Sequence, residues 1–409
     1  MRGTRAIIHL DRLTRNIQAV RNRIGPGRLM CLPVKADAYG HGAVCAARAA
    51  LAAGVRYLAV AAVQEGALLR KADIDAPVLL LSVPLPEEFS DVIAHNLIPL
   101  VTDRELAAGL ALAAAEAGKR LPVHLKIDTG MGRVGVTADA AAELAAFINA
   151  EPSLEYAGTA THLAVSNSTA EDDIHYTKEQ LARFQGALEA IRQTGVKPGI
   201  VHAANSGAVL LHEDAWFDMV RPGIMIYGYS PAEAGAEMQG SGESLTGTNS
   251  GAMMEPLEPV MELESRIVYL KKVHKGETIS YGRAWTAPAD TWIATIPVGY
   301  GDGLPRRLGG RYSVRIRDSF YPLVGRICMD QCMVNLGPET DIRRWEPVTV
   351  FGGGGHSAAA IAEELDTIPY EITCNINKRV PRVYMGAIRQ WSELSDAAEN
   401  LSVHQTVRR

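Results

Sequence analysis

Met30-Cys31-Leu32-Pro33-Val34-Lys35 is the first of eight short apolar runs whose order decides how this chain folds. The others are Tyr57–Ala62, Val78–Val83, Ile98–Thr102, Val123–Asp128, Tyr156–His162, Gly199–Asn205 and Gly223–Gly228. Most gaps between them hold one alanine-rich stretch of helical period. Ahead of the first run, Leu10, Leu13, Ile17, Val20 and Ile24 recur every three or four residues, and Gly25-Pro26 stops that helix. Thr177–Thr194 reads as another, with Leu181, Phe184, Leu188 and Ile191 on one face. Strands apolar on both faces need helices outside them, which implies a parallel sheet. Eight strand–helix units close into an (α/β)8 barrel of TIM type; an open doubly wound sheet is the alternative.

The periodicity ends near residue 230. Residues 231–259 contain Gly235, Gly240, Gly242, Gly247 and Gly251 among Ser and Thr, with no aromatic side chain, and read as a linker or insertion. From 260 to 386 the texture is that of short strands, including Val260–Tyr269, Trp292–Val298, Tyr312–Ile316, Tyr321–Val324, Met333–Leu336 and Pro347–Phe351. The expected organisation is a barrel domain over 1–230, the linker, a mainly β C-terminal domain over 260–386, and a polar tail over 387–409. Ser357–Leu365 is the last expected helix.

Composition narrows the function classes. Forty-one basic and 46 acidic residues are interspersed through 409 positions, without the basic stripe that nucleic acid requires. No apolar run approaches the roughly 20 residues of a membrane span. The first residues, Met1-Arg2-Gly3-Thr4-Arg5, lead into no apolar signal region, so a cytoplasmic location is expected. Cysteines at 31, 45, 328, 332 and 374 are odd in number and read as free thiols. Gly352–Gly355 lacks the spacing of a dinucleotide fingerprint and reads as a tight loop. Cys328 and Cys332 have no second pair to complete a zinc site.

Barrel enzymes place their chemistry where strands end. Lys35 ends the first apolar run, where desolvation favours the neutral, nucleophilic amine. Pro33-Val34-Lys35-Ala36-Asp37-Ala38-Tyr39-Gly40-His41-Gly42 resembles the pyridoxal-phosphate signature of the alanine racemase family, the fold type III racemases. Further elements match in the same order: Lys126-Ile-Asp128-Thr-Gly-Met-Gly-Arg133, Thr161-His162-Leu163, Ala204-Asn205-Ser206-Gly207, Arg221-Pro222-Gly223-Ile224, Ser280-Tyr281-Gly282, Val298-Gly-Tyr300-Gly-Asp-Gly, Gly325-Arg326-Ile-Cys328-Met329-Asp330 and Arg382-Val-Tyr384.

That resemblance implies roles. Lys35 would hold pyridoxal 5'-phosphate and serve one face of the substrate Cα, while Tyr281 from a second copy serves the other. The active sites of such a homodimer are shared. Arg221 would face the pyridine nitrogen; a guanidinium does not surrender its proton, so the ring stays unprotonated and simple reprotonation at Cα is favoured. Tyr39, Asn205, Ser206, Gly223, Ile224 and Tyr384 would hold the cofactor, the phosphate above all. His162 would lie against the ring. Arg133 and the Met329 amide would meet the carboxylate of a small amino-acid substrate. Lys126, often carbamylated in the family, would fix Arg133. Asn167, Tyr300, Arg306, Arg326, Cys328 and Asp330 would line or support the access channel, although Asn167 stands where many members carry an acid. The alternatives are a serine or broad-specificity racemase, a non-catalytic pyridoxal-phosphate-binding protein, and a fold type III decarboxylase.

Overall fold

The computed structural model describes residues 3–231, 245–246, 253–386 and 406–407. It divides into two units, Thr14–Ala38 with Ala43–Leu257, and Met1–Leu13 with Tyr39–Gly42 and Glu258–Arg409. In chain order the early strands are β1 (Arg5–His9), β2 (Leu29–Pro33), β3 (Tyr57–Val60), β4 (Val78–Leu80), β5 (Leu97–Val101), β6 (Leu121–Asp128), β7 (Val136–Thr137), β8 (Leu154–Ala160), β9 (Ile200–His202) and β10 (Met219–Val220).

The first unit is a near-closed parallel barrel. Its strands follow the order β10-β2-β3-β4-β5-β6-β8-β9, and β7 pairs beside β6. Every neighbouring pair is parallel. The seam is drawn in where Asp218 N–H donates to the Val201 carbonyl at 3.1 Å and Arg221 N–H to that of Ala204 at 2.8 Å. Cys31, Ala59, Leu79, Ile98 and Met219 form one buried cluster, each from a different strand. Side chains filling a barrel from successive strands are what make it a packed core. Burying each larger one stabilises by about 1.5–3 kcal/mol.

Seven of the eight expected strands overlap the apolar runs. The eighth does not: the strand is Met219–Val220, and Gly223–Gly228 forms a tight helical turn instead. Ile226, Tyr227 and Gly228 donate back to the carbonyls three residues earlier, and Gly228 takes a φ of 93°. Pro222 has no N–H for a sheet ladder, so the strand ends before it. The long helix begins at Glu171 rather than Thr177 because Glu171, Asp172 and Asp173 suit a helix N-terminus.

The second unit is a mixed β sheet. After the short β11 (Leu245–Thr246) and β12 (Met253–Met254), its strands are β13 (Met261–Arg266), β14 (Tyr269–Val273), β15 (Thr278–Ile279), β16 (Trp285–Thr286), β17 (Thr291–Ile296), β18 (Ser313–Ile316), β19 (Ser319–Val324), β20 (Cys332–Gly337), β21 (Pro347–Phe351) and β22 (Arg382–Met385). The sheet order is β14-β17-β20-β19-β18-β21-β13-β1-β22, and Thr406–Val407 pairs parallel beside β22. The sequence reading groups residues 1–13 with the barrel, yet β1 pairs antiparallel with β13 and parallel with β22. Glu262 on β13 holds that edge, accepting from Arg12 at 2.8 Å and meeting His9 at 3.0 Å. Ser357 caps the helix Ala358–Leu365. The four glycines form a tight loop closed by Gly352 N–H to the His356 carbonyl. Most of the 231–259 linker and the 387–409 tail lie outside the described residues; β11 and β12 pair within the former.

Gly158 on β8 backs onto His124, and a Cβ there would meet the imidazole at 2.5 Å and the Ile200 carbonyl at 2.7 Å. Gly158→Ala should therefore destabilise the barrel by about 1–3 kcal/mol. Urea unfolding checks this; a variant as stable as the parent would show that β8 and β9 can yield there.

Candidate active site

The backbone that carries Lys35 is forced into a rare shape. Ala36, Asp37, Ala38 and Tyr39 all have φ between 50° and 55°, one left-handed turn made without glycine. Such geometry costs about 1–2 kcal/mol per residue, so other groups must hold it. Ala38 N–H donates to the Val34 carbonyl at 2.8 Å. Asp37 Oδ1 accepts from Ala43 N–H at 2.7 Å, and Glu65 Oε1 accepts from Ala36 N–H at 2.6 Å. Gly40 and Gly42 follow at φ of 84° and 93°. Gly42 must be glycine, because a Cβ there would overlap the Tyr384 hydroxyl within the β unit. Arg382 Nε donates to the Gly40 carbonyl at 3.1 Å, and Tyr39 packs against Tyr370 with ring centres 5.6 Å apart.

Arg221 follows β10 and is buried. Its Nη1 donates to His202 Nδ1 at 2.6 Å, and Nη2 to the carbonyls of Thr161 at 2.9 Å and Ala203 at 3.0 Å. His162 Nδ1 is 3.4 Å from Nη2. Among the described residues no carboxylate pairs with this guanidinium. Burial pushes its pKa down to about 10, which leaves it charged at neutral pH. The donor logic then fixes two tautomers. Arginine can only donate, so His202 Nδ1 accepts and its Nε2 carries the proton. That N–H donates to His124 Nδ1 at 2.8 Å, leaving the proton of His124 on its buried Nε2. Burial first, and Arg221 second, hold His162 and His202 well below the usual histidine range and His124 at about 3.

The same forces act on Lys126 at the end of β6. Burial and the charges of Arg221 and Arg133 lower its pKa to about 7, against a smaller pull from Asp128. Its Nζ donates to the Ile127 carbonyl at 3.1 Å. Arg133 itself is exposed on the loop after β6. Asp128 shapes that loop by accepting from Gly130 N–H at 2.9 Å and Gly132 N–H at 3.1 Å. Asn205 is occupied locally: its Oδ1 caps the helix Ser206–Leu211 through Ala208 N–H and accepts from Ser166 Oγ. Ser206 Oγ accepts from Gly223 N–H at 2.8 Å, which joins the end of β9 to the turn after β10. Asn167 packs its backbone against Gly207, and Ile224 is buried in that turn.

In the β unit a second group gathers. Tyr281 is 71% exposed on a short turn, and Ser280 Oγ before it donates to the Arg326 carbonyl at 2.6 Å. Tyr300 N–H donates to the Cys328 carbonyl at 3.1 Å, and Gly301 N–H to that of Met329 at 2.9 Å. Met329 and Tyr300 are also exposed. Arg379 reaches Asp330 at 2.8 Å, the Met329 carbonyl at 3.2 Å and the fully buried Asp302 at 2.8 Å. Arg306 stands exposed on its own short turn, away from these bonds. Sequence reasoning missed Glu65, His124, His202, Asp302 and Arg379. His202 ends a barrel strand, as His162 follows one, and Asp302 lies inside Gly299-Tyr300-Gly301-Asp302, so both carried a signal.

An (α/β)8 barrel with a strand-end lysine, a buried arginine and a separate β unit defines a class of two-part barrel enzymes. Comparison with known proteins narrows it. The family described as "Alanine racemase, N-terminal domain" matches residues 8–231, and "Alanine racemase, C-terminal domain" matches 260–384. Alanine racemase of Treponema denticola is 46% identical over 94% of this chain and 99% of its own. That of Desulforamulus reducens is 39% identical over 93% and 98%. The solved alanine racemase of Clostridium difficile 630 has a TM-score of 0.86 at 34% identity, covering 94% of this chain and 96% of its own. The Bacillus anthracis enzyme with bound L-Ala-P has 0.85 at 31%, with the same coverage. The chain belongs to the alanine racemase family, and its activity is that of an isomerase that racemises alanine.

The three neutral histidines of the barrel, two of them fully buried, predict an acid-sensitive fold. Unfolded histidine takes up its proton near pH 6.5, whereas His124 resists until about 3. The unfolded chain therefore binds more protons in that interval, and stability falls with falling pH by about 1.4 kcal/mol per unit for each such histidine. Thermal unfolding from pH 7 to 5 checks this; His124→Gln should shallow the slope, and an unchanged slope would contradict the assigned protonation.

Proposed function

We propose that the chain interconverts L- and D-alanine with pyridoxal 5'-phosphate attached to Lys35. The observation that carries this reading is Arg221, a buried cation whose described partners are all neutral acceptors. The donor set fits the cofactor. Lys35 offers a half-buried amine at a strand end, Arg221 offers a permanent donor for a ring nitrogen, and Ser206, Gly223 and Ile224 form a junction suited to a phosphate. Tyr39 and Tyr384 are the family's further phosphate contacts. When bound, the cofactor withdraws electrons from the substrate Cα and acidifies its proton.

The chain's own residues do the rest. Arg221 keeps its proton, so the ring nitrogen gains none. Lys35 moves a proton at one face of Cα and Tyr281, from a second copy, at the other. Arg133 orients the substrate carboxylate, assisted by the Met329 amide of that copy. His162, held neutral by burial and by Arg221, would lie against the cofactor ring. The exposed Tyr281, Tyr300 and Met329 support a homodimer with shared active sites. No helix among the described residues is long and apolar enough to cross a membrane. On this reading the enzyme works in the cytoplasm, supplying D-alanine for peptidoglycan or serving alanine breakdown. The Clostridium difficile enzyme is also known as a complex with cycloserine, consistent with a small amino-acid-like ligand.

Lys35→Ala should abolish the visible absorbance of bound cofactor, while Tyr281→Phe should keep it and lose about 10²–10⁴ in rate. Mixing the two inactive variants should restore part of the activity through hybrid dimers; no restoration would refute sharing between copies. A chiral assay of each small L-amino acid separates alanine from serine specificity. Lys126, with a pKa near 7, has a substantial neutral fraction at physiological pH and is open to carbon dioxide. Carbon-13-labelled bicarbonate should give a carbamate resonance that Lys126→Ala removes.

A further inference from the structure

Glu65 sits in the third position of the helix Val63–Lys71, where a carboxylate ordinarily reaches back to the residue before the helix. It does so: Oε2 accepts from Ala62 N–H at 3.2 Å and from Ala61 N–H at 2.8 Å. Capping asks no more of it. Glu88, in the corresponding position of Pro86–Glu88, accepts one backbone N–H, from Leu85 at 3.0 Å, and its other oxygen takes only the exposed side chain of Gln64, at 3.3 Å. The other oxygen of Glu65 instead crosses to the neighbouring strand end and takes Ala36 N–H at 2.6 Å, the shortest of its three bonds. That N–H belongs to the peptide directly after Lys35, at the first residue of the left-handed turn. Ala36 is exposed, so without Glu65 its amide would face water.

We propose that Glu65 is a positioning residue for Lys35: its carboxylate ties the left-handed turn to the end of β3 and so fixes the direction in which the lysine leaves the backbone. The inference rests on the reading of Lys35 as the cofactor lysine. A carboxylate is required rather than an amide, because three N–H groups converge on two oxygens and all of them donate. In Glu65→Gln the single carbonyl oxygen can retain Ala61 and Ala62, but the amide NH₂ then faces the Ala36 donor. The cap survives and the tie is lost.

The test uses the full chain with pyridoxal phosphate as probe. Glu65→Gln is compared with Asp103→Ala, which removes a plain helix cap, the bond from Leu106 N–H. Glu65→Gln should raise the cofactor Kd at least tenfold and slow borohydride-fixed labelling of Lys35 by a similar factor. Asp103→Ala should lower the melting temperature at least as much and leave both quantities at wild-type values. Wild-type Kd and labelling rate in Glu65→Gln, or equal losses in both variants, would overturn the proposal. Hydrogen exchange on the unaltered protein gives a second measurement: the Ala36 amide should be protected despite its exposure, and free exchange would overturn the tie without any variant. Absence of cofactor labelling at Lys35 in the wild type would instead overturn the underlying assignment, and this inference with it.

Discussion

A lone guanidinium sealed among carbonyls and imidazoles is the constraint from which the barrel's polar interior follows. Removing a charge from water without a counter-ion is costly, and the cost is bearable only when every neighbour can accept a hydrogen bond. Arg221 therefore requires His202 to be neutral, His202 requires the same of His124, and His162 falls under the same field. Lys126 is pressed toward neutrality by the same charge and by its own burial. Burial first, and this one arginine second, thus press four groups toward their neutral forms. A buried cation that every neighbour has been neutralised to accommodate is poorly suited to passing its proton on, which is the property the proposed chemistry needs.

Around that cation, polar side chains at the strand ends mostly bind backbone rather than point into open space. Asp128 shapes the loop that carries Arg133, Asn205 caps a helix, and Ser206 anchors the turn after β10. In the β unit, Asp302 and Arg379 do the equivalent for Cys328-Met329-Asp330. Precision at an active site depends on such supports. Arg133 and Tyr281 are exposed, and each is mounted on a loop that another side chain has fixed.

Much of this was legible in the residues. Buried parallel strands such as Val78–Leu80 are apolar throughout, and that signature located seven of the eight barrel strands. It failed at Gly223–Gly228, where an equally apolar stretch folds as a turn; hydrophobicity reports burial, and Pro222 settles the shape. The motif residues were readable because their chemistry is unusual for their position, as with a lysine ending an apolar strand. Glu65 and Arg379 were not, since an ordinary surface charge and a loop-fixing charge look identical until the partner backbone is known. The assignment of residues 1–13 illustrates another limit: a strand's apolar pattern does not name its partner, and β1 pairs with strands from the far end of the sequence.

That last pairing bears on how the molecule is made. A ribosome releases Arg5–His9 before anything else in the sheet, yet both flanking strands, β13 and β22, emerge only after the whole barrel segment has left. At about 5–20 residues per second, the opening strand spends many seconds as an apolar ribbon with both edges bare. Until those strands are made, Ala6, Ile7 and Ile8 lack the neighbours that bury them.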